Sequence, residues 1–314
     1  MPGGGALTAK LHGAVVRWFA AEARDLPWRH PECSPWGVLV SEVMLQQTPV
    51  VRVLPVWSAW MERWPKPGDL AAEPSGEAVR AWGRLGYPRR ALRLHAAATV
   101  IATAHDGELP DSEDGLLALP GVGGYTAAAV AAFAFGRRAS VVDTNIRRVH
   151  ARLIRGEALP APALTAAERR LAETLLPDDD ETSVRWNAGV MELGAMVCTA
   201  RAPKCLICPV ADACAWRAAG EPPPSYVPKG QAWHGTDRQV RGAVMAVLRG
   251  ASHPVPRVVL EGPAMAVAER ESTNPELARL HTLAPAPEQL ERCIAGLLAD
   301  GLAVELPAGL SLPH

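Results

Sequence analysis

Apolar residues recur at helical spacing from the start of the chain. Leu11, Val15, Trp18, Phe19 and Ala23 fall three and four apart, the stripe of an amphipathic helix. Residues 36–47 (WGVLVSEVMLQQ) are apolar on most sides and predict a buried helix. Thr48 followed by Pro49 reads as an N-cap and first helical position, which puts Gln46 and Gln47 at a tight helix–helix junction. A Pro67-Gly68 break precedes two helical patterns within 76–103, divided at Gly86-Tyr87-Pro88. A short helix follows over 112–118, capped by Asp111 or Ser112. A small-residue helix then runs from Thr126 to Phe135 and stops at Gly136, and further helices are predicted over 144–154, 165–176 and 183–197. Few positions alternate with the period of a strand before residue 215, so this part is predicted all-α.

The pattern lapses over 218–236, where Pro clusters and periodicity is lost, as in a linker. It restarts over 237–314 with helices at 238–248 and 287–299 and a closing alternating stretch, GLAVELPAGLSLPH. Two or three helices ending in a hairpin outline a small winged-helix-like module. With 314 residues, 48% hydrophobic and 21% charged, the chain is globular and long enough for two domains. Its net charge of -1 excludes a globally basic coat but leaves room for a local basic face. No run reaches transmembrane length and no signal peptide opens the chain, so a cytoplasmic protein is expected. Lysine is scarce: Lys10, Lys66, Lys204 and Lys229 are the only four.

Four of the six cysteines, Cys198, Cys205, Cys208 and Cys214, fall within 17 residues as C-x6-C-x2-C-x5-C. In a cytosolic chain such clustering reads as metal binding before disulfide bonding. Zinc ribbons use two C-x2-C knuckles, whereas a cubane iron–sulfur cluster accepts four thiolates from one wrapped loop. The spacing favours [4Fe–4S] and leaves zinc and coincidence open. A second signal is LPGVGGYTAAAV (119–130). Gly121, Gly123 and Gly124 permit backbone conformations closed to other residues, and their N–H groups with the next helix start offer an anion site. The arrangement matches a helix–hairpin–helix element that grips DNA phosphate without reading sequence, although a plain turn would share it.

Two carboxylates stand out. Asp143, in VVDTNIRRV, follows a buried lead-in and opens a helix; an N-cap role alone would explain it. The helix dipole there favours its ionised form, and Arg147, Arg148 and Arg152 follow on a face suited to phosphates. Glu42 sits among Val38, Leu39, Val43, Met44 and Leu45. It is either an exposed residue of an amphipathic helix or a buried acid whose desolvation suits it to proton donation. One protonated and one ionised carboxylate is the pairing that cleaves a glycosidic bond through an oxocarbenium-like transition state.

SEVMLQQT (41–48), LPGVGGYTAAAV, VVDTNIRRV, MELGAMVC (191–198) and the cysteine loop resemble the MutY-type adenine DNA glycosylases of the helix–hairpin–helix, iron–sulfur superfamily. The resemblance runs over roughly residues 10–216. It implies an all-α, two-lobed fold within a catalytic domain at 1–217. A six-helix barrel would take residues 30–135, and a cluster lobe residues 10–29 and 136–217. A linker (218–236) and the small module (237–314) complete the expected division. The implied activity removes adenine mispaired with 8-oxoguanine or guanine in double-stranded DNA, by a monomer associated with the nucleoid. By resemblance Glu42 protonates adenine at N7, Asp143 stabilises the sugar cation and Asn145 helps position the site. Gln46, Gln47 and Tyr87 then lie beside the lesion, and Gly121, Gly123, Gly124, Tyr125 and Arg147 join the DNA contacts. Cys198, Cys205, Cys208 and Cys214 hold a [4Fe–4S] cluster.

Tyr125 stands where strand-cutting relatives carry a Schiff-base lysine, so the resemblance implies a glycosylase without lyase activity. Many relatives end in a domain like nucleotide-pool hydrolases; residues 237–314 are too short for it. A thymine or uracil mismatch glycosylase would share the hairpin and cluster but has no use for Glu42, because thymine lacks an N7. A non-catalytic iron–sulfur DNA sensor would need neither carboxylate. In each reading arginines and hairpin amides displace counterions, so affinity for duplex DNA is expected to fall steeply as salt rises. A salt titration of binding measures this, and a flat dependence overturns the phosphate contacts.

Overall fold

The computed structural model describes residues 4–227, 230, 232–262 and 274–314. Residues 228, 229 and 231 of the expected linker lie outside them. Helices α1 (Gly4–Glu22), α2 (Pro35–Leu45), α3 (Val50–Arg63), α4 (Pro67–Ala71), α5 (Ser75–Ala81) and α6 (Arg89–Ala104) lead to a helix–hairpin–helix element. That element is α7 (Glu113–Leu117) and α8 (Gly124–Phe135). Helix α9 (Thr144–His150) runs into one π-helical turn at Ala151–Arg155. Next come α10 (Ala166–Leu175), α11 (Asp180–Met196) and α12 (Ala215–Ala218). The last segment holds α13 (Asp237–Gly250), α14 (Arg257–Glu261), α15 (Pro275–Leu283), α16 (Pro287–Ala299) and a hairpin of β1 (Val304–Leu306) with β2 (Gly309–Ser311). The strands pair antiparallel, Val304 opposite Ser311, and Val255 bridges to Leu310.

The caps read from the sequence recur. The Ser112 hydroxyl accepts from the Gly115 amide at 3.2 Å, and Gly136 closes α8 in the left-handed region at φ 66°. The start of α3 differs: it takes Pro49 as its N-cap and begins at Val50. The Thr48 hydroxyl is engaged elsewhere, donating to the Leu85 carbonyl at 3.3 Å and accepting from Arg90 Nη2 at 3.1 Å. Helices α4, α14 and α15 have no counterpart in the sequence reading. The first two are five residues long, too short for apolar periodicity to register.

The chain gathers into two compact units. One comprises Met1–Leu39, Pro110–Ala118 and Val122–Lys229. Within it α8 is buried all round from Thr126 to Ala132, and its run of alanines lets neighbours approach on every side. Helix α11 packs against α1 and α9. Glu192 on α11 is fully buried and receives Arg24 Nε and Nη2 at 2.7 Å each, the Arg24 amide at 3.0 Å and Arg29 Nη2 at 2.9 Å. His150 is buried too, stacked on Trp186 at 6.4 Å, and burial pushes its pKa down to about 4.

The other unit comprises Val40–Leu109, Leu119–Gly121 and Gly230–His314. Trp60 centres a T-shaped cluster, 4.9 Å from Trp64 and 5.6 Å from Trp82. The C-terminal segment docks on α5: the Gly76 amide donates to the Pro313 carbonyl at 2.9 Å and Arg249 Nε to the Val79 carbonyl at 3.1 Å. Arg80 returns donors to the Arg249 and Ala251 carbonyls.

Burial alone would raise the pKa of Glu192, but hydrogen bonds from Arg24 and Arg29 outweigh it and hold it at about 2. A lowered carboxylate pKa stabilises the fold above the unfolded value and loses that stabilisation as pH falls toward the folded one. Glu192→Gln is therefore expected to cost about 3–5 kcal/mol near neutrality, leaving two cations short of their partner. The gap to wild type should close between about pH 4.5 and 2. Denaturant midpoints across pH measure it.

Candidate active site and cluster loop

Val141 is buried and the chain reaches α9 in extended form, with Asp143 at φ −93°. The Asp143 carboxylate caps the helix: Oδ1 accepts from the Ile146 amide at 2.6 Å and Oδ2 from Asn145 Nδ2 at 3.0 Å. Burial pushes its pKa up, against those hydrogen bonds and the charge of Arg148. Desolvation thus opposes the ionised form that the helix start favours and sets the direction of the shift. Asn145 Oδ1 in turn accepts from Arg148 Nη2 at 2.7 Å. Arg148 also donates to the Gly194 carbonyl at 2.7 Å and, through Nε, to the Cys198 carbonyl at 2.8 Å. A hydrogen-bonded path therefore joins Asp143 to the first cysteine of the loop. Only glycine fits at 194, where a Cβ would stand 2.7 Å from Asn145 Cβ.

Arg152 holds the same loop from its other side. It donates to the Ala158 carbonyl at 2.9 Å, the Thr199 carbonyl at 2.7 Å, the Ala200 carbonyl at 3.1 Å and Cys198 Sγ at 3.4 Å, and stacks 4.8 Å above Trp216. Arg148 and Arg152 are thus turned inward, with side chains buried, and do not form the phosphate-facing surface the sequence suggested. Arg147 departs in the same way. It is 11% exposed and pairs with buried Glu168 at 2.9 Å, so we do not carry it forward as a DNA contact. A guanidinium on a short basic run reads as surface charge until the fold supplies an interior carboxylate or carbonyl.

The four clustered cysteines are free thiols, each half-buried. Two 3-10 turns, Cys205–Ile207 and Ala211–Ala213, fold the loop back on itself. Burial pushes the Cys208 thiol up to about 11 and raises Cys205, and in both cases the other loop sulfurs push the same way. The loop sulfurs therefore lie within electrostatic reach of one another. Among the described residues, no three His, Cys, Asp or Glu side chains converge tightly enough to grip a single ion. A four-iron cubane is larger than an ion and spaces its thiolates more widely, so this donor set suits it.

The remaining sequence candidates are distributed as follows. Glu42 on α2 is 5% exposed, between buried Val38, Leu39, Val43 and Met44, which removes the exposed-face alternative. After α2 the chain turns through half-buried Gln46 and exposed Gln47, the latter left-handed at φ 55°. Arg90, itself buried, reaches under this turn. Nη1 donates to the Val43, Met44 and Gln46 carbonyls at 2.9, 3.1 and 2.6 Å, and Nη2 to the Gly86 carbonyl at 3.0 Å. Its guanidinium lies 5.7 Å from the ring of Tyr87, which is left-handed at φ 47° and 47% exposed. Sequence reasoning missed Arg90; nothing in RRALRLHA sets it apart from Arg89 or Arg93. In the hairpin, Gly121 alone needs glycine's freedom. It has φ 76°, and a Cβ there would meet Arg93 Cβ at 2.5 Å. Gly123 is extended and Gly124 opens α8, both with open space around them, while Tyr125 is half-buried. The bare amides at 123 and 124 are accessible to an anion.

Residues 40–174 match the HhH-GPD superfamily of base excision DNA repair proteins, and residues 198–214 match the iron–sulfur binding domain of endonuclease III. An adenine DNA glycosylase of Mycolicibacterium smegmatis is 47% identical over 94% of this chain and 93% of its own. One from Mycobacterium tuberculosis is 52% identical over 79% of this chain and 81% of its own. Among solved structures, a thermostable thymine-DNA glycosylase superposes with TM-score 0.61 at 30% identity, over 68% of this chain and 97% of that one. A trapped endonuclease III–DNA intermediate, 24% identical with TM-score 0.57, shares the fold.

Partners that orient and hydrogen-bond ligand residues usually contribute 10–100-fold to retention of the bound group. Arg152→Ala is therefore expected to speed loss of the cluster to a chelator by roughly tenfold or more. The decay of the visible thiolate-to-iron absorbance measures it.

Proposed function

The chain belongs to the adenine DNA glycosylase family, and from that premise we propose which base pair it acts on and which residues do the work. It is a base-excision glycosylase that carries a [4Fe–4S] cluster. The proposed substrate is adenine opposite 8-oxoguanine or guanine in duplex DNA. The product is an abasic site, with the strand left intact. The observation that carries the assignment of residues is the half-buried Asp143 carboxylate, fixed by the Ile146 amide and Asn145.

In this mechanism Glu42, desolvated on α2, delivers its proton to N7 of adenine. Protonation makes the base a better leaving group, and the bond between C1′ and N9 breaks with its electron pair going to the base. Positive charge develops on the deoxyribose. Asp143 stabilises it electrostatically, held in place by Asn145 and Arg148, and water adds hydroxide to C1′ while its proton is released. Cys198, Cys205, Cys208 and Cys214 hold the cluster, whose part is to fix the loop that Arg148 and Arg152 grip. Gln46, Gln47 and Tyr87 contact the duplex where the adenine leaves the stack, and the amides of Gly123 and Gly124 receive a phosphate. We keep the division into a catalytic domain at 1–217, a linker at 218–236 and a module at 237–314. No helix among the described residues is long and apolar enough to cross a membrane, and we place the enzyme, as a monomer, on DNA in the cytoplasm.

A single-turnover assay on a duplex with one adenine opposite 8-oxoguanine, developed with and without alkali, tests the reading. Breaks only after alkali are expected, with no borohydride-trapped adduct, because Tyr125 offers no amine. Glu42→Gln should lower the rate by about 10²–10⁴-fold while leaving duplex binding in place. Activity on thymine mismatches alone, or a Glu42→Gln enzyme that keeps its rate, overturns it.

A further inference from the structure

Asp143 stands at the end of an irregular strap. Helix α8 closes at Gly136, and residues 137–142 lead to α9 with no helix or strand of their own. A segment of that kind must find partners for its buried backbone groups outside regular secondary structure. Helix α11, in the same compact unit, supplies them along its length.

Asp180, Asn187 and Gly194 fall seven apart on α11. Seven residues is close to two helical turns, so they share one face. Each meets the chain around Asp143. At the helix start Asp180 Oδ1 accepts from the Arg138 amide at 2.8 Å, and Arg138 Nε donates to the Pro177 carbonyl at 2.8 Å. Two turns on, buried Asn187 donates through Nδ2 to the Ala139 carbonyl at 2.8 Å. Two turns further, Gly194 lies against Asn145. A Cβ at 194 would come within 2.7 Å of Asn145 Cβ and 3.0 Å of its carbonyl oxygen. Asn145 is the residue whose Nδ2 reaches Asp143 Oδ2 at 3.0 Å. One face of α11 therefore fixes the chain four residues before Asp143 and two residues after it.

A carboxylate that stabilises a developing cation acts only from the right place, and small displacements are costly in rate. We propose that Asn187 and Gly194 are positioning residues for Asp143, setting where its carboxylate stands during cleavage of the glycosidic bond. The proposal rests on the catalytic role assigned to Asp143 above and deepens it. Asn187 supplies the donor that pins the strap at Ala139. Gly194, by having no side chain, lets Asn145 close on α11 and hold the carboxylate from the other side. Both act through Asp143, so they govern the rate of the chemical step and leave duplex affinity alone.

The test uses the full chain with its cluster. Single-turnover rates are taken at saturating enzyme on a duplex with adenine opposite 8-oxoguanine. Affinities are taken for a duplex with a tetrahydrofuran abasic analogue in place of that adenine nucleotide. Asn187→Asp keeps the shape of the side chain and removes the donor, and Gly194→Ala presses on Asn145. Each is expected to slow the reaction by roughly 100-fold, the scale of a misplaced catalytic group, with affinity unchanged. Gly189→Ala separates this from damage to the helix as such. It lies on the same helix and its Cβ would stand 2.8 Å from Val15 Cγ1, so it presses on α1 and should keep the rate while lowering stability. Asn187→Ser, a smaller change that shortens the donor, should be slowed in the same manner, and it decides the matter if either of the first two variants fails to fold. A rate kept in any folded Asn187 or Gly194 variant overturns the proposal. So does a loss in Gly189→Ala as large as in Gly194→Ala, or a slower reaction matched by equally weaker binding. Wild type that leaves the adenine in place, or Asp143→Asn at full rate, would sink the parent reading instead.

Discussion

A guanidinium below the surface carries five N–H donors and keeps its charge, so whatever surrounds it must supply acceptors. In this protein main-chain carbonyls supply most of them. Arg90 gathers those at the end of α2 and at Gly86, Arg148 those of Gly194 and Cys198, and Arg152 those of Ala158, Thr199 and Ala200. Each cluster of acceptors is a loop that regular secondary structure leaves unsatisfied, and each loop carries residues assigned to function. Burial lowers the pKa of Arg90 to about 10, which still leaves it charged near neutrality. Take away one of these cations and several buried carbonyls lose their donors together.

The same device gives the candidate site its rigidity. Asp143 is held by its own helix start, by Asn145 and, through Asn145, by Arg148, so its position depends on the cysteine loop as well as on α9. A carboxylate that must face a transient cation gains from such fixing, because orientation settled during folding is not lost again during reaction. The half-turn of backbone at Gln46–Gln47 and the strained Tyr87 are braced the same way by Arg90. Left-handed φ values at both are tolerated because neighbouring carbonyls are pinned from below.

Much of this was legible in the sequence. Helix spans followed from apolar spacing and from caps such as Ser112 and Gly136, and the family was readable from short motifs around Glu42, Asp143 and the cysteines. What stayed hidden was the direction in which charged side chains point. Arg147, Arg148 and Arg152 form a basic run that suggests a phosphate face, yet each turns to partners 3 to 50 residues away inside the fold. Glu192 reads as an ordinary helical residue in MELGAMVC, because nothing local announces Arg24 and Arg29. The approach of Arg90 and Arg238 to the Tyr87 ring was equally invisible, since it joins residues 87–90 to a residue of the C-terminal segment.

The pairing of Arg24 with Glu192 spans 168 residues of chain. During synthesis at about 5–20 residues per second, α1 leaves the ribosome some ten to thirty seconds before α11 exists to receive it. Its apolar stripe, and two arginines whose carboxylate has not yet been made, must wait in water for that time. The nascent chain is therefore exposed to chaperones and proteases over a fixed interval set by topology and translation speed, whatever the stability of the finished enzyme.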